Sequence, residues 1–383
     1  MENHIPDYFD EMRPYYDSEV PAAIRRMADS ELFPFFIKTI YPEKDFEEFK
    51  QQFLQVKTVN EWHDRMWFPL LWHIIGNTSV SLTVSGLENI GKDSRYMFVS
   101  NHRDITLDAS ILNALLGKNG YRPAEITFGS NLMINQFVTD LGKISKMFRL
   151  VRGGNRRDFY KNSLEVSTYM RYAITQKHES VWIAQRNGRT KDGNDVCDQG
   201  LLKMFAMSSK LPFVENFVEL SLCPVAISYE YEPCDFLKTA ELCVSMHQKY
   251  VKSPMEDMIS IRQGIFQNKG HIHLAVCQPV TLDELRECDT FQKNEKFTHL
   301  AQIIDKKIHT NFKLFKNNYI AHDLLTGTDT YASHYSDKDK ADFQAYMEKG
   351  LSQIDSSIDR KTAQEVFIKI YANPVTNNKN QNK

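Results

Sequence analysis

The chain has 383 residues, of which 42% are hydrophobic and 25% are charged, and its formal net charge is −2. This composition is that of a globular protein with one large domain and extensions, or with two domains. The near-neutral charge excludes a general polyanion-binding surface, so any anion site must be local and no nucleic-acid partner is expected. Mean hydropathy is −0.46, and no stretch reaches the roughly 18–20 apolar residues of a transmembrane helix.

The cysteines and the N-terminus predict a cytoplasmic protein. Six cysteines are scattered without a Cys-x-x-Cys pair, which is typical of reduced thiols. The first residues are polar and acidic, unlike a secretory signal. His271 and His273 alternate along a predicted strand without a nearby third ligand. We therefore favour solvent-facing histidines over a metal pair, and we predict no metal site.

Residues 1–77 are predicted to form a helical N-terminal extension. Residues 15–36 and 45–56 have apolar residues at helical spacing. The segment 62–75 carries three of the four tryptophans. It suits either a helix that faces a membrane interface or a helix packed on the main domain, and both interpretations stay open.

Residues 78–325 are predicted to form an α/β layered domain with a central mixed sheet flanked by helices, because short apolar runs alternate with amphipathic segments. The predicted strands are 79–85, 96–100, 126–128, 181–184, 224–230 and 270–277. The predicted helices are 107–116, 159–176, 200–208 and 291–315. Residues 326–383 are predicted to be a polar C-terminal extension, with disorder from Thr376 onward.

The first candidate site lies between the strand 96–100 and the apolar helix that follows it. His102 comes just after the strand, and Asp104 and Asp108 follow in the turn. A histidine at a strand end, with a carboxylate about one helical turn further on, suits general-base chemistry on a hydroxyl. The imidazole takes the proton and the carboxylate holds its tautomer. The alternative is a histidine that only caps the helix.

The second candidate site is basic. Residues 143–157 carry six cations and no carboxylate, with Arg149 and Arg152 around a β-like pair and two glycines directly after them. Glycine lets backbone N–H groups approach a ligand, and arginine binds phosphate. A compact phosphate pocket is therefore predicted here, with a solvated basic loop as the alternative.

The third candidate site is the turn after the strand 181–184. This turn carries four candidate binding residues: Arg186, Asn187, Gly188 and Arg189. Taken alone, such a turn is more often a solvated loop. Two strand ends rimmed with arginine, and the strand end that carries His102 and Arg103, can converge at one edge of a sheet, which is where open α/β sheets bind ligands.

In this order the segments resemble the four sequence blocks of the glycerolipid acyltransferase family. The matching segments are Asn101-His102 with its following Asp, 148–152, 186–190 and 223–227. The resemblance covers about residues 80 to 232 and implies transfer of a fatty acyl group from an acyl-CoA or acyl carrier protein thioester to a glycerolipid hydroxyl. It implies no bound cofactor, a glycerol phosphate or lysophospholipid acceptor, and peripheral contact with the inner face of the membrane.

Carried over residue by residue, the resemblance makes His102 the general base and Asp108 or Asp104 its orienting carboxylate. Pro224 matches the proline of the fourth block. The implied substrate-binding residues lie at the three strand ends and comprise Arg103, Arg149, Arg152, Arg186, Asn187, Gly188 and Arg189.

Two departures from the family pattern bear on substrate choice. The usual His-x4-Asp spacing would put the carboxylate at Leu107, whereas the chain has Asp104 and Asp108, of which Asp108 is favoured. The third block reads Asn187-Gly-Arg-Thr190 in place of Glu-Gly-Thr-Arg. The sequence therefore leaves open O-acylation of another amphiphile, such as a lyso-aminolipid, and a catalytically weak lipid-binding homologue. A metal-dependent His/Asp hydrolase is disfavoured.

Overall fold

The computed structural model describes residues 7–151 and 155–381 of the chain. Within these residues, seven strands form one sheet: β1 (Ser79–Ser85), β2 (Met97–Ser100), β3 (Glu125–Gly129), β4 (Met147–Leu150), β5 (Val181–Ala184), β6 (Leu222–Tyr229) and β7 (Gly270–Val276). Their order is β1-β7-β6-β2-β5-β3-β4, and every neighbouring pair is parallel except β6 and β7. The predicted α/β class with a central mixed sheet is confirmed.

Helices precede, flank and follow the sheet. The N-terminal helices are α1 (Val20–Ala28), α2 (Leu32–Ile40), α3 (Phe46–Leu54), α4 (Val59–Trp62) and α5 (Phe68–Thr78). Those between strands are α6 (Leu107–Lys118), α7 (Gln136–Ile144), α8 (Arg156–Thr175), α9 (Gln199–Ala206), α10 (Phe213–Leu220), α11 (Asp235–Ser245) and α12 (Glu256–Phe266). The C-terminal helices are α13 (Leu282–Asp289), α14 (Glu295–Asn311), α15 (Lys316–Thr326), α16 (Asp337–Leu351) and α17 (Arg360–Gln381).

Both faces of the sheet are buried, which explains the continuous apolar runs of its central strands. All eight residues of β6 are buried. On one face, Phe98 and Ile227 pack with side chains of α5 and α6. On the other face, Val99 and Ala226 pack with side chains of α8 and α14. Because β2 to β6 run in the same direction, their carboxyl ends meet at one edge, and the three candidate strand ends lie there.

The tryptophan segment packs inside the protein. Trp62 and Trp67 are 3% and 7% exposed and belong to the same buried cluster as Phe98. The indole N–H of Trp62 donates to Ser145 Oγ at 2.9 Å. A π-helical turn, His63–Trp67, joins α4 to α5. The packed-helix interpretation of this segment is therefore the one that the structure supports for these two rings.

No helix among residues 7–151 and 155–381 combines the length with the hydropathy that a bilayer span requires.

The polar C-terminal extension is largely helical, so the predicted disorder from Thr376 is wrong for residues 376–381. Val375 on α17 is buried, and Asn378 Nδ2 donates to the His309 carbonyl at 2.9 Å. Tyr371, also on α17, donates to Asp235 Oδ2 at 2.7 Å. These contacts with α14 and α11 stabilise a helix whose own polar composition does not predict it. Residues 382 and 383 lie outside the described residues.

Two other predicted helices differ from the structure. The predicted helix 15–36 is divided into α1 and the beginning of α2, with a break at residues 29–31. The predicted helix 291–315 is shorter and corresponds to α14. Both differences reflect turns that apolar spacing alone does not reveal.

Candidate active site

The turn after β2 is held by the side chain of Asn101. Its Nδ2 donates to the Ile227 carbonyl at 3.0 Å and to Asp195 Oδ2 at 3.1 Å. Its Oδ1 accepts from the Ile227 N–H at 2.8 Å, and the residue is fully buried. These bonds clamp the end of β2 to β6, so the next residue, His102, starts from a rigid backbone.

His102 and Asp108 form a hydrogen-bonded dyad. His102 Nδ1 lies 2.8 Å from Asp108 Oδ2, and 14% of the histidine side chain is exposed. Because an ionised carboxylate only accepts, Nδ1 carries the proton and Nε2 keeps its lone pair. Nε2 makes no hydrogen bond to any residue that the structure describes. It is therefore available to accept a proton from a bound hydroxyl.

Three further donors fix the Asp108 carboxylate. The Tyr229 hydroxyl donates to Oδ1 at 2.8 Å, and the backbone N–H groups of Arg103 and Asp104 donate to Oδ2 at 2.6 and 3.0 Å. Burial, together with the neighbouring Asp108, raises the pKa of Tyr229, so its hydroxyl keeps its proton. The carboxylate is thus held in position to orient His102.

Asp104 has a different role from Asp108. Its Oδ1 accepts from the N–H groups of Thr106 and Leu107, both at 2.8 Å, and so caps the first turn of α6. Its Oδ2 is buried without a partner among the described residues. Burial and the nearby Asp108 raise the pKa of the Asp104 carboxyl. Of the two candidates for the orienting carboxylate, Asp108 is the one that contacts His102.

The backbone of α12 lies directly against Asp104. A Cβ added at Gly264 would lie 1.9 Å from Asp104 Oδ2. We expect Gly264→Ala to destabilise the protein by about 1–3 kcal/mol, because the added methyl group must push the helix or the carboxyl aside. Gly76→Ala in α5 is the matched control, since no atom lies within 4 Å of its added Cβ. Gly76→Ala is expected to raise the free energy of unfolding by up to about 1 kcal/mol.

Urea unfolding of both variants measures the difference. Equal effects for Gly264→Ala and Gly76→Ala would contradict the close approach of α12 to Asp104.

Arg103 differs from its predicted role in substrate binding. Its side chain is 1% exposed, and its guanidinium pairs with Asp195 Oδ2 at 2.5 Å and with Glu232 Oε2 at 3.0 Å. Burial lowers the pKa of Arg103 and the two carboxylates raise it, with a net upward shift. The side chain therefore points into the protein. A buried charge is stable only when opposite charges compensate it, and the ion pairs with these two carboxylates stabilise the loops behind the site.

The arginine turn after β5 adjoins the dyad. The Thr190 N–H donates to the His102 carbonyl at 2.7 Å. Gly188 has a φ of +78°, a left-handed conformation that glycine adopts without strain, and a Cβ there would meet open space. Arg189 Nη2 donates to Ser260 Oγ on α12 at 3.1 Å. The half-buried Arg186 and the exposed Asn187 belong to the same turn.

Arg149 lies further from His102, on the edge strand β4. Three strand spacings separate β4 from β2, which is about 14 Å. Arg149 lies 3.4 Å from Glu11 and lines a cavity of about 410 Å³ together with Lys143 and Tyr15. Burial and the nearby cations lower the pKa of Lys143. Arg152, the other predicted phosphate ligand, lies outside the described residues.

Sequence reasoning missed several residues of this arrangement. Tyr229 has a detectable signal, because it alternates with Val225 and Ile227 along β6 and brings a polar tip to the carboxyl end of a buried strand. Ser260 and Gly264 have no such signal, since their positions matter only once α12 packs on the site.

His271 and His273 lie on β7, where they form hydrogen bonds with the hydroxyls of Ser81 and Thr83, each at 2.8 Å.

Part of the chain matches a known protein family. Residues 81–228 match the family model described as Acyltransferase. The predicted resemblance is confirmed for that segment, and the match supports an acyltransferase activity. No curated protein matches the chain.

Among solved structures, the chain is similar to the 1-acyl-sn-glycerophosphate (LPA) acyltransferase PlsC from Thermotoga maritima. The two are 12% identical, and the match covers 76% of this chain and 91% of that one with a TM-score of 0.35. At that score the likeness supports no conclusion about this chain.

Proposed function

Because residues 81–228 form a domain of the acyltransferase family, we propose that this protein moves a fatty acyl group from an acyl thioester of coenzyme A or acyl carrier protein to a lipid hydroxyl. The acceptor is a glycerol phosphate or a lysophospholipid, and the enzyme works in phospholipid synthesis on the inner face of the membrane. The observation that carries this proposal is the His102–Asp108 dyad at the end of β2. In it, His102 Nε2 makes no hydrogen bond to any residue that the structure describes.

His102 acts as the general base. Nε2 takes the proton of the acceptor hydroxyl as its oxygen attacks the thioester carbonyl, and Asp108 stabilises the imidazolium that forms. Collapse of the tetrahedral intermediate breaks the C–S bond, and the proton passes from Nε2 to the leaving sulfur. The new ester C–O bond replaces the thioester, and no protein nucleophile takes part. General-base assistance of this kind contributes about 10²–10⁴ in rate.

Cations at the turn after β5 and, further along the sheet, beside β4 suit an acceptor that carries phosphate. The cavity beside β4 presents Arg149 and Lys143, and the turn after β5 presents Arg186 and Arg189. Arginine binds phosphate through charge-assisted, bidentate hydrogen bonds, and such binding holds the hydroxyl near the base. We assign the Arg149 cavity to the acceptor phosphate, since its volume accommodates a small polar headgroup.

Arg149→Ala is expected to raise the acceptor KM at least tenfold and to leave the donor KM unchanged. The lost charge-assisted hydrogen bonds contribute about 1.5–3 kcal/mol. Steady-state kinetics with each substrate varied in turn measures both constants. Arg25→Ala is the control, because this exposed arginine lies on α1, outside the cavity. An unchanged acceptor KM for Arg149→Ala would remove the cavity from the acceptor site.

Mass spectrometry of reaction products tests the proposed function directly. Purified protein is incubated with acyl-CoA and, separately, with glycerol 3-phosphate, lysophosphatidate, other lysophospholipids and a lyso-aminolipid. The expected product has the mass of the acceptor plus one acyl group and is formed from a phosphate-bearing acceptor. Acylation of the lyso-aminolipid alone would replace the proposed acceptor class. Binding of lysolipid without any product, with acyl carrier protein thioesters also tested, would contradict the enzymatic proposal.

A further inference from the structure

Helix α12 exposes apolar side chains on the side opposite to the site. Met255, just before the helix, is 60% exposed, and Ile259 and Phe266 are 51% and 47% exposed. Val251, in the segment that leads into the helix, is 82% exposed. Large apolar side chains are unfavourable in water unless a partner covers them.

Helical geometry puts these residues on one stripe. At 100° per residue, Met255, Ile259, Arg262 and Phe266 fall within an arc of about 60°, over a length of about 16 Å. Ser260 and Gly264, which contact Arg189 and Asp104, point to the other side. One side of α12 therefore contacts the site, and its other side presents an unpartnered apolar stripe.

The charges on α12 are arranged to leave this stripe cationic. The Tyr250 hydroxyl donates to Glu256 Oε2 at 2.6 Å, and Asn131 Nδ2 donates to Asp257 Oδ2 at 2.9 Å. Asp257 also pairs with Lys252. Arg262 is exposed and has no carboxylate partner among the described residues. Asp257 is thus paired with a lysine, and Glu256 is held by Tyr250 outside the stripe. The one charge within the stripe is that of Arg262.

We propose that α12, with Val251, docks on the surface of a lipid bilayer that contains anionic lipids. A stripe of large apolar side chains interrupted by one cation is the pattern of a helix that lies in the membrane interface, with its apolar side chains at the acyl boundary and arginine at the phosphates. This inference rests on the proposed function, because a membrane at the stripe puts lipid substrates about one helix diameter from Arg189. It also locates membrane contact away from the buried Trp62 and Trp67.

Vesicle sedimentation of the full-length protein tests the docking surface. Vesicles of phosphatidylcholine are compared with vesicles that also contain phosphatidylglycerol. The double variant Ile259→Ser/Phe266→Ser is expected to lower the bound fraction on mixed vesicles at least about tenfold, because two large side chains no longer insert. Arg262→Gln is expected to weaken binding roughly fivefold, and only when phosphatidylglycerol is present.

The matched control is Val218→Ser/Phe291→Ser, which removes apolar side chains that are 51% and 39% exposed outside α12. It should bind vesicles like the wild type. Equal binding by the α12 variant and the wild type would overturn the docking proposal. The proposal would also be overturned if the α12 variant bound vesicles like the wild type but no longer bound acyl carrier protein. The stripe would then be a protein interface.

Activity on a soluble short-chain acyl-CoA with glycerol 3-phosphate separates the two proposals. The α12 variant should keep wild-type kcat in that assay. If the wild type binds vesicles through α12 and acylates no acceptor, the proposed function fails and the docking surface remains. If the wild type acylates lipids and the α12 variant sediments normally, the docking surface fails and the function remains.

Discussion

His102→Ala is expected to lower kcat for acyl transfer by at least about a hundredfold, because it removes the only group of the dyad that can take the acceptor's proton. The fold should survive the change. Among the residues that the structure describes, the His102 side chain makes one hydrogen bond, and Asp108 keeps three other donors, from Tyr229 and from two backbone N–H groups. The carboxylate is therefore still satisfied in the variant.

Initial rates at saturating substrate, together with thermal unfolding, measure the two effects. His299→Ala is the matched control, because His299 also pairs with a carboxylate, Glu287 at 3.3 Å, but lies on α14. It should leave kcat unchanged. Asp108→Asn should lower kcat as well, since an amide stabilises the imidazolium poorly. Full activity of His102→Ala with an intact unfolding transition would eliminate the general-base mechanism.

Arg103→Met is expected to destabilise the protein by about 3–5 kcal/mol, because it leaves Asp195 and Glu232 buried with one fewer cation. The side chains of these carboxylates are only 3% and 5% exposed. Lys238 pairs with Glu232 at 2.5 Å and donates to the Arg103 carbonyl at 2.9 Å, so one ion pair remains in the variant. The uncompensated charge is then that of Asp195.

A second substitution that removes the uncompensated charge of Asp195 should recover part of the stability lost in Arg103→Met. Arg103→Met/Asp195→Asn restores neutrality around the Glu232–Lys238 pair, so it should regain part of the lost free energy of unfolding. A double-mutant cycle in urea measures the coupling. Additive effects of the two substitutions would show that the ion pair does not account for the loss. Arg171→Met removes another largely buried arginine, paired with Glu219 at 2.6 Å, and should destabilise without lowering kcat.

Most of the strands can be predicted from the local pattern of apolar residues in the sequence. Residues 79–85 and 181–184 are strands with the predicted bounds, because strict alternation and a short continuous apolar run both specify extended backbone. Helix α17 does not follow from local pattern. Its last residues are polar, and Asn378 there bonds His309 on α14, 69 residues away. Tyr371 likewise bonds Asp235 on α11, 136 residues away. Nonlocal contacts of this kind are invisible to a scan of neighbouring residues.

The sequence by itself determined the α/β class, the strand end that carries His102, and the resemblance to an acyltransferase domain, because these depend on residue type, order and short-range periodicity. Only the tertiary structure decided between Asp104 and Asp108, since a carboxylate's role depends on which atoms its turn brings within 3 Å. The fold likewise turned Arg103 inward and buried Trp62 and Trp67, because a side chain's surroundings are set by segments distant in the chain. It also left the α12 stripe exposed on the side of the helix that faces away from the site, because packing, not composition, decides which apolar side chains stay in water.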